Sequence, residues 1–132
     1  MIVDASVLVA IAIDEPGCEM LLKAMLVPEI KRVSAANLLE TWTVIDRRHI
    51  PGASEVLDDT IARTALVVEP VTLAQAEIAR VAYARYGKGS GSPAQLNFGD
   101  CFAYALAKET GEPLLFIGDD FIHTDVPSAI PR

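Results

Sequence analysis

The stretch MIVDASVLVAIAI, residues 1–13, decides the fold class. Met1 to Asp4 is a short apolar run closed by an acid, and Ala5 to Ile13 has the length and the Ala and Leu content of a helix or helical turn. A strand that passes straight into a helix is the unit of a parallel sheet, because parallel neighbours need a crossover between them. Working outward, Pro16 and Gly17 break the pattern, Cys18 to Val27 (CEMLLKAMLV) resumes it at helical spacing, and Pro28 stops it. Arg32 to Ala35 (RVSA) reads as a second strand. A helix follows from about Ala36 to His49, with Leu39, Thr43 and Asp46 on one side and Glu40 facing another, and Pro51 and Gly52 end it.

Ser54 is expected to cap a helix through Leu66, with Glu55 in its first turn favoured by the helix dipole, and LVVEP, residues 66–70, is a third strand. Thr72 caps the next helix, with Gln75 three residues on completing a capping-box pattern, and Ala76, Ile78, Ala79, Val81 and Ala82 carry it to about Tyr86. Gly87 to Pro93 (GKGSGSP) reads as a flexible surface loop. Asn97 caps a helix through Thr110, Gly111 ends it in the left-handed region, and Leu114 to Ile117 (LLFI) is the fourth strand. Strand and helix alternating in this way predict an α/β fold, a mostly parallel sheet with helices on both faces, whose ligands bind beyond the carboxyl ends of the strands.

The 132 residues suit one domain over 1–132, and the balance of 52% hydrophobic and 22% charged residues leaves room for a loose segment only in the last few positions. Cys18 and Cys101 lie far apart without CxxC spacing or a histidine cluster, which excludes a zinc site and a disulfide scaffold and marks both as small buried hydrophobes. No apolar run approaches the roughly 20 residues of a membrane span, and MIVDAS lacks a basic leader, so the expectation is a soluble cytoplasmic protein without membrane contact. The net charge of −7 opposes a nucleic-acid partner, because phosphate contacts come from Lys and Arg.

Acids fall where such a sheet would gather them. Asp4 closes strand one, Asp119 and Asp120 follow the last strand, Asp100 stands in the first turn of the Asn97-capped helix, and Glu40 lies about one turn into the helix after strand two. Each alone has an ordinary reading: a dipole-stabilised first-turn acid, a turn former, a solvated helix residue. Together they bring like charges close, which is costly unless a divalent cation relieves the repulsion. Oxygen ligands without His or Cys suit Mg²⁺, with Mn²⁺ as a substitute.

With these residues in hand, the sequence resembles the PIN-domain ribonucleases, and within them the VapC toxins of VapBC toxin–antitoxin systems. The resemblance rests on IVDASVLVAI, the SAANLLETWTVI segment bearing Glu40, the YGKG loop leading into LNFGDCFAYALAKETGEPLLF around Asp100, and the closing GDDFIHTDV. It implies a three-layer α/β/α fold around a four- to five-stranded sheet. It also implies an acidic site of Asp4, Glu40, Asp100 and a fourth acid, with Asp4 and Asp100 as direct metal ligands. GDDF offers Asp119 and Asp120 for the fourth place, of which Asp119 is favoured. Ser6 resembles the small hydroxyl residue found two positions after the first acid in the family, where it would orient Asp4 or hold a water, unless it simply caps the first helix.

The activity implied is Mg²⁺-dependent endoribonuclease attack on an RNA phosphodiester by a metal-activated water, inhibiting translation until an antitoxin neutralises the toxin. Arg47, Arg48, Arg80, Arg85 and Lys88 are the candidates for holding RNA. The acidic net charge favours a structured target read by shape, such as transfer RNA or a ribosomal RNA loop. The family further implies a VapB-like antitoxin laid across the cleft and a homodimer, for which CEMLLKAMLV and LLETWTVI, including Trp42, could supply apolar faces. Two rivals remain: a catalytically silent PIN fold, and a receiver-like Mg²⁺-binding signalling module. The receiver-like module would need a phospho-accepting Asp after strand three, where this chain has Glu69 and Pro70.

Overall fold

The computed structural model describes residues 1–131. In chain order the elements are β1 (Ile2–Val3), α1 (Ala5–Ala12), α2 (Cys18–Leu26), β2 (Arg32–Ser34), α3 (Ala35–Arg48), α4 (Ala53–Thr64), β3 (Val67–Glu69), α5 (Leu73–Tyr86), α6 (Phe98–Thr110), β4 (Leu114–Leu115) and a 3-10 turn (Asp120–His123). The four strands form one parallel sheet in the order β3-β2-β1-β4. This is the α/β arrangement expected, a sheet of four strands between two helical layers.

Alternation along the strands explains the layering, since successive side chains of a strand point to opposite faces. Val3, Val33 and Leu115 join a core with Val7, Leu8 and Ile11 of α1, Met25 of α2, Leu38 and Ile45 of α3 and Leu57 of α4. Ile2 and Leu114, each one residue away, belong to the opposite core with Ala82 and Tyr86 of α5 and Cys101, Tyr104 and Leu106 of α6. The sheet is buried on both faces at its centre, as parallel sheets are. At its edge the β3 side chains Val67 and Val68 are half exposed.

Thr72, Asn97 and Gly111 close their helices as expected, and Ser54 does not. Thr72 accepts from the Gln75 amide, but the Gln75 side chain reaches away to Glu109, so the box is not reciprocal. Asn97 and Asp100 form the full reciprocal box. Gly52, in the left-handed region at φ 80°, precedes α4 in place of Ser54, which lies inside the helix. Gly111 ends α6 at φ 69° as expected.

The glycine-rich loop is tied down at both ends. Lys88 N donates to Leu96 O and Leu96 N donates to Tyr86 O, closing a bridge between Gly87 and Leu96. The chain after the 3-10 turn is likewise anchored. Leu114 N donates to Pro127 O and Ala129 N to Leu114 O, and Ala129 and Ile130 pack on the first core, so a loose end is not seen there; Arg132 lies outside the described residues. Cys101 is buried as expected, whereas Cys18 is only partly buried and its thiol donates to Asp14. Among the described residues, no helix is long and apolar enough to cross a membrane.

Candidate active site

The strand order puts a topological switch point at β1. The chain moves from β1 outward through β2 to β3, then returns to place β4 on the other side of β1. Connections on the two sides diverge at the carboxyl ends of β1 and β4 and leave a crevice. A cavity of about 390 Å³ lies there, lined by Asp4, Ser6, Glu15, Glu40, Arg48, Asn97, Asp100 and Asp120 among others.

Asp4 follows β1 and caps α1, a consequence of its extended backbone and short carboxylate. It is 5% exposed. Its Oδ2 accepts from the Ser6 amide at 3.0 Å and the Ser6 hydroxyl at 2.6 Å, while its Oδ1 is buried with no hydrogen-bond partner. Burial raises its carboxyl above the usual range, against the Ser6 hydrogen bonds, and the Asp120 charge adds to the rise. Ser6 is therefore not the helix cap; its hydroxyl holds Asp4 and accepts from Ile117 N at 3.1 Å, linking the ends of β1 and β4.

Glu40 projects from the second turn of α3, partly buried. Its carboxyl is raised by burial first and by the Asp4 charge second, with the Asn37 hydrogen bond opposing. Asp100 spends Oδ2 on the Asn97 amide at 2.8 Å. Its carboxyl is nevertheless pushed up to about 7, by burial foremost and then by the charges of Asp4, Asp120 and Glu40, with the Asn97 hydrogen bond opposing. The acid of the GDDF turn that lines the cavity is Asp120. Asp119, favoured from the sequence, is the residue preceding the 3-10 turn, after Gly118 in the left-handed region at φ 91°; the charge of Asp120 acts on Asp4 and Asp100. A one-residue choice of this kind depends on a backbone torsion that the sequence does not display.

Of the basic candidates, Arg48 lines the cavity, 3.9 Å from Glu15 with both side chains about half exposed. Arg47 and Lys88 are exposed elsewhere, Arg85 lies over the Tyr86 ring at 4.8 Å, and Arg80 borders an apolar cavity with Tyr83 and Phe98 between α5 and α6. Sequence reading missed Glu15 and Asn37. Asn37 stands one helical turn before Glu40, on the buried stripe of α3 with Leu38, Thr41 and Ile45, and that i, i+3 spacing was the available signal.

Glu69, where a receiver-like domain would carry its phospho-acceptor, is bound instead to Arg32 at 2.6 Å. Among the described residues no group of three His, Cys, Asp or Glu side chains could by itself hold a metal ion in this arrangement. The site nevertheless suits a hard divalent cation. It offers an unmet buried carboxylate oxygen and carboxyls raised by burial and, after it, by one another's charge, and Mg²⁺ typically takes only one or two carboxylates plus water.

A sheet of this order with acids ringing its switch point is the design of a PIN domain, and the model of the PIN domain family matches residues 1–127. The chain belongs to that family. Within it, the chain is 48% identical over 132 residues to the ribonuclease VapC28 of Mycobacterium tuberculosis, covering 100% of this chain and 99% of that one. It is also 46% identical over 126 residues to a ribonuclease VapC of Mycolicibacterium smegmatis, covering 96% and 97%. The crystal structure of Mycobacterium tuberculosis VapC20, described as a Sarcin-Ricin loop cleaving toxin, matches with a TM-score of 0.78 over 98% of each chain at 22% identity, a likeness of fold.

Proposed function

We propose that this chain acts as one domain, a VapC-type ribonuclease toxin that cuts RNA at the acidic crevice between β1 and β4. The observation that carries the reading is the pairing of Asp4, buried with an unmet Oδ1, with Asp100, raised to about 7, in one cavity with Glu40 and Asp120. Asp4 and Asp100 would hold a divalent ion, Mg²⁺ or Mn²⁺. When bound, the ion supplies the charge that in-line hydrolysis of a phosphodiester needs and relieves the repulsion among the acids.

The chain's own groups do the rest. Ser6 fixes one oxygen of Asp4 and leaves the other to the site, and the Asn97 amide does the same for Asp100. Glu40, its carboxyl raised, is suited to orient the attacking water and take its proton. Asp120 completes the acidic ring, and Arg48 offers the cavity's guanidinium to a substrate phosphate.

A net charge of −7 makes binding to generic RNA weak and salt-sensitive, which favours a structured RNA target; a toxin acting on such RNA would work in the cytoplasm. A VapB-like antitoxin would cover the apolar faces that Met20, Leu26, Val27 and Val56 expose on and beside α2 and α4, and Leu39 and Trp42, exposed on α3, would serve a homodimer. The deciding experiment is expression without antitoxin, followed by sequencing of new RNA ends with and without Mg²⁺. Discrete new ends that require the ion support the reading, and an unchanged RNA population defeats it.

A further inference from the structure

Asn37 is wholly buried, 0% exposed, at the interface of α3 and α6. Its Nδ2 donates to Gly99 O at 2.9 Å and to Glu40 Oε1 at 3.3 Å. Both partners are acceptors, so only the amide's NH2 can face them. The orientation leaves Oδ1 buried without a partner. An amide kept for stability alone would satisfy both ends, because a buried unmet acceptor is destabilising.

Gly99 presents a second local cost at the same place. It is the second residue of α6 and not in the left-handed region, so its backbone does not require glycine, and Ala would be at least as good in that turn. Space is what favours it: a Cβ there would overlap the Glu40 carboxylate, so that carboxylate can keep its place only beside a glycine. Two residues on two helices thus each break a stability rule, and both do so against the same carboxylate. Local rules broken together in this way mark functional sites.

We infer that Asn37 and Gly99 are positioning residues for Glu40. The Asn37 amide directs the carboxylate and ties it to the α6 backbone that carries Asp100, while the bare Cα of Gly99 provides the slot in which it lies. The inference rests on the acidic-site reading above and adds the groups that set the placement of Glu40 within that site.

The test uses the full chain with Asn37→Leu, close in size but without polar atoms, and Gly99→Ala. Three quantities are measured: thermal midpoint, Mn²⁺ affinity of the metal-free protein by titration calorimetry, and kcat and KM on RNA. The expected result is a midpoint equal to or above wild type, with kcat and Mn²⁺ affinity each lowered about tenfold or more and KM little changed, the size seen when groups supporting a metal site are removed. In a Glu40→Gln background either change should add less than about twofold, because residues acting through one group are not additive.

A tenfold loss in either quantity at an undiminished midpoint supports the assignment. Wild-type values of both in both variants, or losses that follow a falling midpoint, overturn it. If Asn37→Leu does not fold, Gly99→Ala, which adds one methyl on a helix, decides alone. Should Asp4→Asn and Asp100→Asn abolish cleavage while these variants retain it, only the positioning of Glu40 is refuted. A wild-type chain that binds no Mn²⁺ refutes the acidic-site reading together with it.

Discussion

The Ser6 hydroxyl donates to Asp4 Oδ2 at 2.6 Å, and the Ser6 amide donates to the same oxygen at 3.0 Å. One residue thereby fixes the rotamer of the most buried acid in the crevice and selects which of its oxygens stays unmet. Because the same hydroxyl accepts from Ile117 N, the segment after β4 is held at the same distance from β1. Ser6→Ala is expected to lower kcat/KM on RNA about 10- to 100-fold while costing about 1 kcal/mol of stability. Cleavage rates and thermal denaturation check this, and a variant with full activity would contradict the role given to the hydroxyl.

Asp4→Asn and Asp100→Asn should each abolish Mg²⁺-dependent cleavage and growth inhibition with the fold intact. Asparagine can still accept the Ser6 and Asn97 hydrogen bonds, so the caps of α1 and α6 survive while the charge does not. Circular dichroism reads the fold and a cleavage assay the loss. Substantial activity in either variant refutes the assignment.

The GDDF turn separates two neighbouring acids. Asp120 lines the cavity and its charge bears on both Asp4 and Asp100, so Asp120→Asn should reduce kcat at least about tenfold, and Asp119→Asn much less. Parallel kinetics on the two variants decide, and the reverse order would return the fourth place to Asp119.

Acidity and stability are linked through Asp100. Its carboxyl, raised from 3.8 to about 7 chiefly by burial, keeps its proton in the folded metal-free protein over a range in which the unfolded chain has lost it. The folded state then binds more protons, so this contribution is fully present below about pH 4 and is lost as pH rises through about 7. Asp4 and Glu40 are raised too and act in the same direction. The thermal midpoint of metal-free protein should therefore fall between about pH 4 and 7, Asp100→Asn should flatten that fall, and Mn²⁺ should raise the midpoint more at the higher pH. A midpoint that rises over this interval in the absence of metal would show that burial and neighbouring charge do not hold these carboxyls above their usual range.

Arg48 lines the acidic cavity as a cation beside Glu15. Arg48→Ala should raise KM for RNA several-fold, leave kcat within about twofold, and reduce the salt slope of binding by about one. Arg47→Ala, which removes an exposed charge one position away, is the control. Equal effects of the two changes would reduce Arg48 to general surface charge.

Much of this was legible in the chain. MIVDASVLVAIAI announced a strand feeding a helix, the Asn97, Thr72 and Gly111 signals placed helix ends, and Asp4, Glu40 and Asp100 could be chosen because their predicted positions all lay toward one rim. The capping residues were readable because a helix end is closed by groups within three or four residues of it. The tethers of the chain end and of the glycine loop were not legible, for the complementary reason. Their anchors, Leu114 for Pro127 and Ala129, and Tyr86 and Leu96 for the loop, are pairings across space that composition does not register.

By itself the sequence determined the parallel α/β class, the acids available to the crevice and the family they resemble, since hydrophobic period, caps and acid placement are local properties of the chain. Only the tertiary structure showed that Asp120 lines the crevice, that Arg48 among the basic residues lines it too, and that Asn37 and Gly99 flank Glu40. Each of those outcomes depends on a backbone torsion or on the approach of two helices remote in sequence, and neither is written in the order of the residues.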